Sequence, residues 1–135
     1  MRFNETSFVI HDISAFPIVR QRAGAVRPGY AARWEREMDT LVQAATPFVV
    51  ILQQGYAEED QADRQSRALW LRRNREPLAA ICKVVIGIEH NSLKRAAFKA
   101  QALLAAEAFG TKVDIAASDE EAMAMARAIL AEHDL

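Results

Sequence analysis

The side chains of this 135-residue chain that could transfer protons, attack a substrate or hold a metal are three histidines, one cysteine and a short acidic run. His11, His90 and His133 never stand three or four residues apart, so no helical turn brings two imidazoles to one metal ion. His133 falls in the last turn of a final helix, where a cation complements the helix dipole. His11 falls in the first extended segment, where a surface or hydrogen-bonded role is expected. His90 follows an apolar strand and precedes a helix start, which is where open α/β sheets gather binding groups. A role in the capping loop is expected of it ahead of catalysis. Cys82 adjoins Val84-Val85-Ile86 and has no Cys-x-x-Cys partner, which predicts a buried, inert thiol. Glu58, Glu59 and Asp60 are consecutive, and consecutive helical residues point in different directions. They read as a solvated helix start and not as a metal cluster. No Gly-x-Ser-x-Gly elbow, phosphate loop or dinucleotide fingerprint occurs, and the five glycines are isolated. The expectation is no catalytic residue, no metal and no cofactor.

Composition narrows the partners. Seventeen basic and 18 acidic residues leave a net charge of −1, so no global field steers the chain toward nucleic acid or anionic lipid. Arg64, Arg67, Arg72, Arg73 and Arg75 cluster locally, but the neighbouring acids cancel much of their field, and Trp70 is their only interleaved aromatic. No nucleic-acid partner is expected. A single cysteine excludes an internal disulfide. No apolar run reaches the roughly 18 residues of a membrane span, and the polar start Met1-Arg2-Phe3-Asn4-Glu5 does not read as a signal peptide. A cytoplasmic protein without stable membrane insertion is expected. Neither repeats nor linkers break residues 1–135, so one domain is expected.

Elements must position these residues. Segments 7–13 and 16–22 are rich in β-branched and aromatic residues and read as a hairpin. Tyr30, Trp34, Met38, Leu41, Val42 and Ala45 recur at helical spacing until Pro47 closes the helix. Residues 48–52, Phe-Val-Val-Ile-Leu, suit a strand buried on both faces. A charged helix follows over 58–75, acidic at its start and basic at its end, with Ala62, Leu69 and Trp70 inward. A second buried strand is expected over 83–88. A helix capped by the segment 90–92 runs to about 109, with Leu93, Ala97, Leu104 and Ala108 along one face and Gly110 as its left-handed stop. An edge strand over 112–116 leads to the capping box Ser118-x-x-Glu121 and a last helix with Ala122, Met123, Ala126, Ile129 and Leu130 inward. Alternating strands and helices predict a mixed α/β sheet of about five strands, an N-terminal antiparallel hairpin followed by parallel strands, with about four helices.

This order, with Gly24-x-Val26-x-Pro28-x-Tyr30 leading into the first helix, resembles the SpoIIAA-like fold. That group holds the STAS domains and many bacterial proteins. The resemblance implies a non-catalytic domain that acts by binding a protein partner and is regulatory in role. Family antagonists are switched at a serine just after the central strand. The matching segment here, residues 53–60, holds no serine or threonine, so that switch is not expected to carry over.

Two alternatives accompany this reading: a small-ligand or lipid-binding module, and, ranked last, an enzyme using His90. In open parallel sheets ligands collect beyond the carboxyl ends of the strands. There the sequence places Gln54, Tyr56, His90 and Asn91 as candidate ligand-binding residues. With sequential strands and right-handed crossovers the helices gather on one face, although 48–52 is apolar on both. A homodimer is the expected cover, with Trp34 and Trp70 as candidate interface anchors if exposed.

Overall fold

The computed structural model describes residues 7–53, 55–56 and 58–133. Along the chain run β1 (His11–Asp12), β2 (Ile18–Gln21), α1 (Ala31–Gln43), β3 (Phe48–Leu52), α2 (Gln61–Arg73), α3 (Arg75–Ile81), β4 (Cys82–Ile88), α4 (Ser92–Phe109), β5 (Val113–Ala116) and α5 (Asp119–Glu132). The strands lie side by side in chain order. β1 pairs antiparallel with β2, and every other pairing is parallel. The expected mixed α/β sheet is present, with the two apolar strands β3 and β4 adjacent.

Five helices are described where about four were expected. The additional one is α3. Pro77 falls in its first turn, where backbone N–H groups have no intrahelical acceptor, so the proline is accommodated within a new helix as well as ending the charged one.

Strand alternation divides the core into two layers. Phe48 and Val50 of β3, with Cys82 of β4, join Trp34, Met38, Leu41, Trp70 and Leu78 on the first face. Val49, Ile51, Val84 and Ile86 point the other way, toward Ala122 and Ala126 of α5. Those alanines let the helix backbone come close to the sheet. Arg20 of β2 also reaches Asp119 at the start of α5. The second sheet face is therefore closed by a helix of the same chain, and the need for a second subunit there disappears.

Two helices turn a different side inward than periodicity suggests. In α2 the buried residues are Asp63 and Trp70, while Ala62 and Leu69 are exposed. The reason is polar: Asp63 accepts hydrogen bonds from Gly29 N and Ala31 N, so one helix caps the start of another. Glu59, expected to be solvated, is buried beside them. In α4 only Ala102 is fully buried, and Leu93, Ala97, Leu104 and Ala108 face outward. This helix is apolar around most of its circumference, so its pattern does not select a face. Gly110 does stop it, with φ +77.

Candidate functional site

The site begins with an acid on the apolar side of α1. Glu37 lies between Trp34 and Leu41 on the inward stripe and is buried. Its carboxylate accepts from the backbone N–H groups of Val9 at 2.8 Å, Ile10 at 3.1 Å and His11 at 2.9 Å, and from His11 Nδ1 at 2.9 Å. Burial alone raises the Glu37 pKa, but these donors outweigh it and hold the carboxyl below the usual carboxylate range. An ionised carboxylate has no proton to give, so Nδ1 carries the hydrogen and Nε2 is left over. His11 Nε2 is buried and has no protein partner.

Across the hairpin, Gln21 is the register partner of His11. The Tyr56 phenol donates to Gln21 Oε1 at 2.9 Å. Burial pushes the Tyr56 pKa up, so the phenol keeps its proton. With its oxygen engaged, the Gln21 amide turns its NH2 group away from Tyr56, and that nitrogen is also buried without a protein partner. Tyr56 lies beneath the Arg67 guanidinium, 3.7 Å from the ring centre. Arg67 in turn forks onto Glu59 at 2.8 and 2.9 Å, and the Tyr30 hydroxyl donates to the same carboxylate. Burial raises the Glu59 pKa, and the Arg67 and Tyr30 donors more than reverse it, so this carboxylate too is held ionised.

His11 and Gln21 form the polar end of a cavity of about 250 Å³ between the sheet and the helices. Val50, Val85 and Val113 supply its floor from three neighbouring strands, and Met38 and Leu78 help to close it from above. Thr111, at the far edge of the sheet, also lines it, and its hydroxyl is a third buried atom without a protein partner. A wider crevice of about 630 Å³ adjoins it over the carboxyl ends of β3, β4 and β5. Tyr56 and Arg67 line both spaces and so stand at their boundary.

The expected site residues separate. Tyr56 belongs to the cavity. His90 is exposed, and its carbonyl accepts from the Arg95 guanidinium at 3.2 Å. Asn91 Oδ1 accepts from Lys94 N at 2.9 Å and caps α4. Neither residue lines the cavity or the crevice. Gln54 lies outside the described residues. Trp34 and Trp70 are not exposed anchors. Both are buried, their rings meet edge to face at 5.2 Å, and Trp70 Nε1 donates to Asp39 at 2.9 Å. Their partners lie within the same chain because α1 and α2 pack against each other through these rings.

Sequence reasoning missed His11 as a lining group, together with Gln21, Glu37 and Thr111. One signal was available: Glu37 stands three residues from Trp34 and four from Leu41, so it shares their inward face. An acid there requires buried donors. Cys82 lines the cavity, but burial pushes its thiol up to about 12, which leaves no thiolate to act as a nucleophile. Among the described residues no group of histidine, cysteine and acidic side chains is placed to hold a metal ion, and no helix is long and apolar enough to cross a membrane. No protein-family model, curated protein or solved structure matches the chain.

Proposed function

We propose that this chain is a binding domain whose inner cavity holds a small, mainly apolar ligand with a polar end. One observation carries the reading: His11 and Gln21, cross-strand partners that each have a buried polar atom without a protein partner, line one end of a cavity with mainly apolar walls. Each such atom left unmet costs about 1–3 kcal/mol. Two such atoms together cost about 2–6 kcal/mol, a large part of the whole stability of a domain, about 5–15 kcal/mol, and a ligand that supplies their partners offsets that cost. Apolar walls with a few convergent polar groups are the usual form of a small-molecule site.

The test is saturable binding of indole, a small uncharged compound that fits this volume, followed by calorimetry. A one-to-one isotherm is expected, and Ala105→Phe, which adds a ring on the α4 wall, is expected to abolish it while the variant stays folded. Binding that does not saturate, or that is equal in Ala105→Phe, contradicts the reading.

We further read the chain as a SpoIIAA-like interaction domain that pairs with a second copy of itself. The supporting observation is the outer face of α4. Leu93 is 83% exposed and Leu104 68% exposed, with Ala97 and Ala100 between them. The order Leu-Ala-Ala-Leu reads the same in both directions about the helix centre. A two-fold interface must be complementary to itself. An antiparallel copy of α4 sets Leu93 of one chain against Leu104 of the other and each Ala97 against the opposite Ala100, with no like charges apposed at those four positions. Sedimentation equilibrium is expected to give a dimer mass at about 100 μM and a monomer mass for Leu104→Glu. A monomer mass for the unmodified chain at that concentration refutes it.

A further inference from the structure

We infer that the polar end of the cavity receives a carboxyl group, so that the ligand is a monocarboxylate of roughly eight non-hydrogen atoms in all. This rests on the cavity reading above and specifies its ligand. The size follows from volume: about 250 Å³, at roughly 30 Å³ for each water-sized group, accommodates about eight of them.

The head group follows from which atoms are already engaged. Glu37 takes the hydrogen on His11 Nδ1, and Tyr56 takes Gln21 Oε1. What remains on offer is one imidazole nitrogen, Nε2, and one amide NH2, carried by cross-strand partners on the same stretch of hairpin. Gln21 can only donate there. His11 Nε2 accepts when the imidazole is neutral and donates when it is charged. A carboxyl group satisfies both cases. As an acid it gives its O–H to Nε2 and takes an N–H from Gln21. As a carboxylate it takes one N–H from each. An alcohol has a single oxygen to share between the two positions, and an ester has no hydrogen to give.

A primary amide is the nearest mimic. It can donate an N–H to a neutral Nε2 and accept from Gln21, but its single oxygen would have to accept from both groups if the imidazole were charged, whereas a carboxylate has one oxygen for each. Arg33 Nε stands 3.5 Å from Glu37 Oε2, so the buried acid is already offset by a positive charge. Thr111 and Phe109 at the opposite end of the cavity carry no charge, so the far end of the ligand is uncharged.

The test is calorimetric titration with four compounds of one chain length: hexanoate, hexanamide, 1-hexanol and methyl hexanoate. Hexanoate is expected to bind at least about 10-fold more tightly than each of the others. In Gln21→Met that preference is expected to fall at least about fivefold. Equal affinity across the series, or a preference for the amide or alcohol, overturns the carboxyl assignment and leaves the cavity reading standing. Failure of all four compounds to bind overturns both. The series on the unmodified protein decides the matter without relying on the folding of any variant.

Discussion

Removing the Glu37 carboxylate should cost about as much stability as truncating one of the large buried apolar residues of α1. In Glu37→Ala three backbone N–H groups and the His11 imidazole lose their common acceptor. A buried donor left unmet costs about 1–3 kcal/mol. Val9 is half exposed and can turn to water, so two to three donors bear the loss. The expected destabilisation is about 4 kcal/mol, which lowers Tm by roughly 10–20 °C for a chain of this size. Glu37→Gln keeps one acceptor oxygen and should cost about half as much. The sign with pH follows from linkage. The folded-state pKa of Glu37 lies below its ordinary 4.5, so the ionised group adds stability above that value and the gain is lost as pH falls through the folded pKa. The gap between the unmodified protein and Glu37→Gln should therefore shrink between pH 7 and pH 3. Urea unfolding followed by Trp34 and Trp70 fluorescence measures both quantities. A Glu37→Ala variant within about 1 kcal/mol of the parent, or a gap to Glu37→Gln that is unchanged at pH 3, refutes the reasoning.

Three further outcomes follow from the same geometry. Cys82, with its thiol pushed up to about 12, should resist iodoacetamide at pH 8 in the folded protein and react fully in urea; rapid labelling of the native protein contradicts this. Arg67→Met leaves the buried Glu59 without its fork and should cost about 3 kcal/mol, whereas Glu59→Gln combined with Arg67→Met should recover part of that loss; additive losses in urea unfolding would show that the pair is not coupled. Gly110→Ala places a side chain at φ +77, and its Cβ falls 3.1 Å from Arg75 Cγ, so a loss of about 1 kcal/mol is expected by thermal unfolding, and an unchanged Tm argues against the left-handed stop.

What could be read from the sequence depended on whether one local signal was enough. Phe48–Leu52 is apolar throughout, so only a strand enclosed on both faces suits it. Ser118 and Glu121 carry the start of α5 within four residues, and Ser118 Oγ accepts from Glu121 N as the capping box requires. Gly110 is legible because few other residues adopt positive φ. The failures are long-range. Asp63 is a cap for α1, 32 residues away from Ala31, and no spacing within α2 reveals that. Ala62 and Leu69 look inward on hydrophobicity alone, yet the polar chain Asp63, Arg67 and Glu59 holds that side of α2. The segment α4 is rich in alanine and leucine on every side, so its sequence cannot say which side meets the sheet. The cavity was missed for a related reason. His11 and Gln21 become neighbours through hairpin register, and Glu37 and Tyr56 then orient them from distant parts of the chain. The expected carboxyl-end site was sought among exposed loop residues, whereas the polar atoms without protein partners lie deeper, behind Tyr56.

The central claim is that the buried cavity, and not the loop at His90, is where a ligand binds. The most direct measurement is a backbone amide NMR titration with 1-octanol, which carries no charge and so does not depend on the carboxyl assignment. The account predicts saturable shifts at Gln21, Val50, Val85 and Val113, with residues 89–92 and the outer face of α4 unmoved. Shifts confined to residues 89–92, or shifts that grow without saturating, would contradict it.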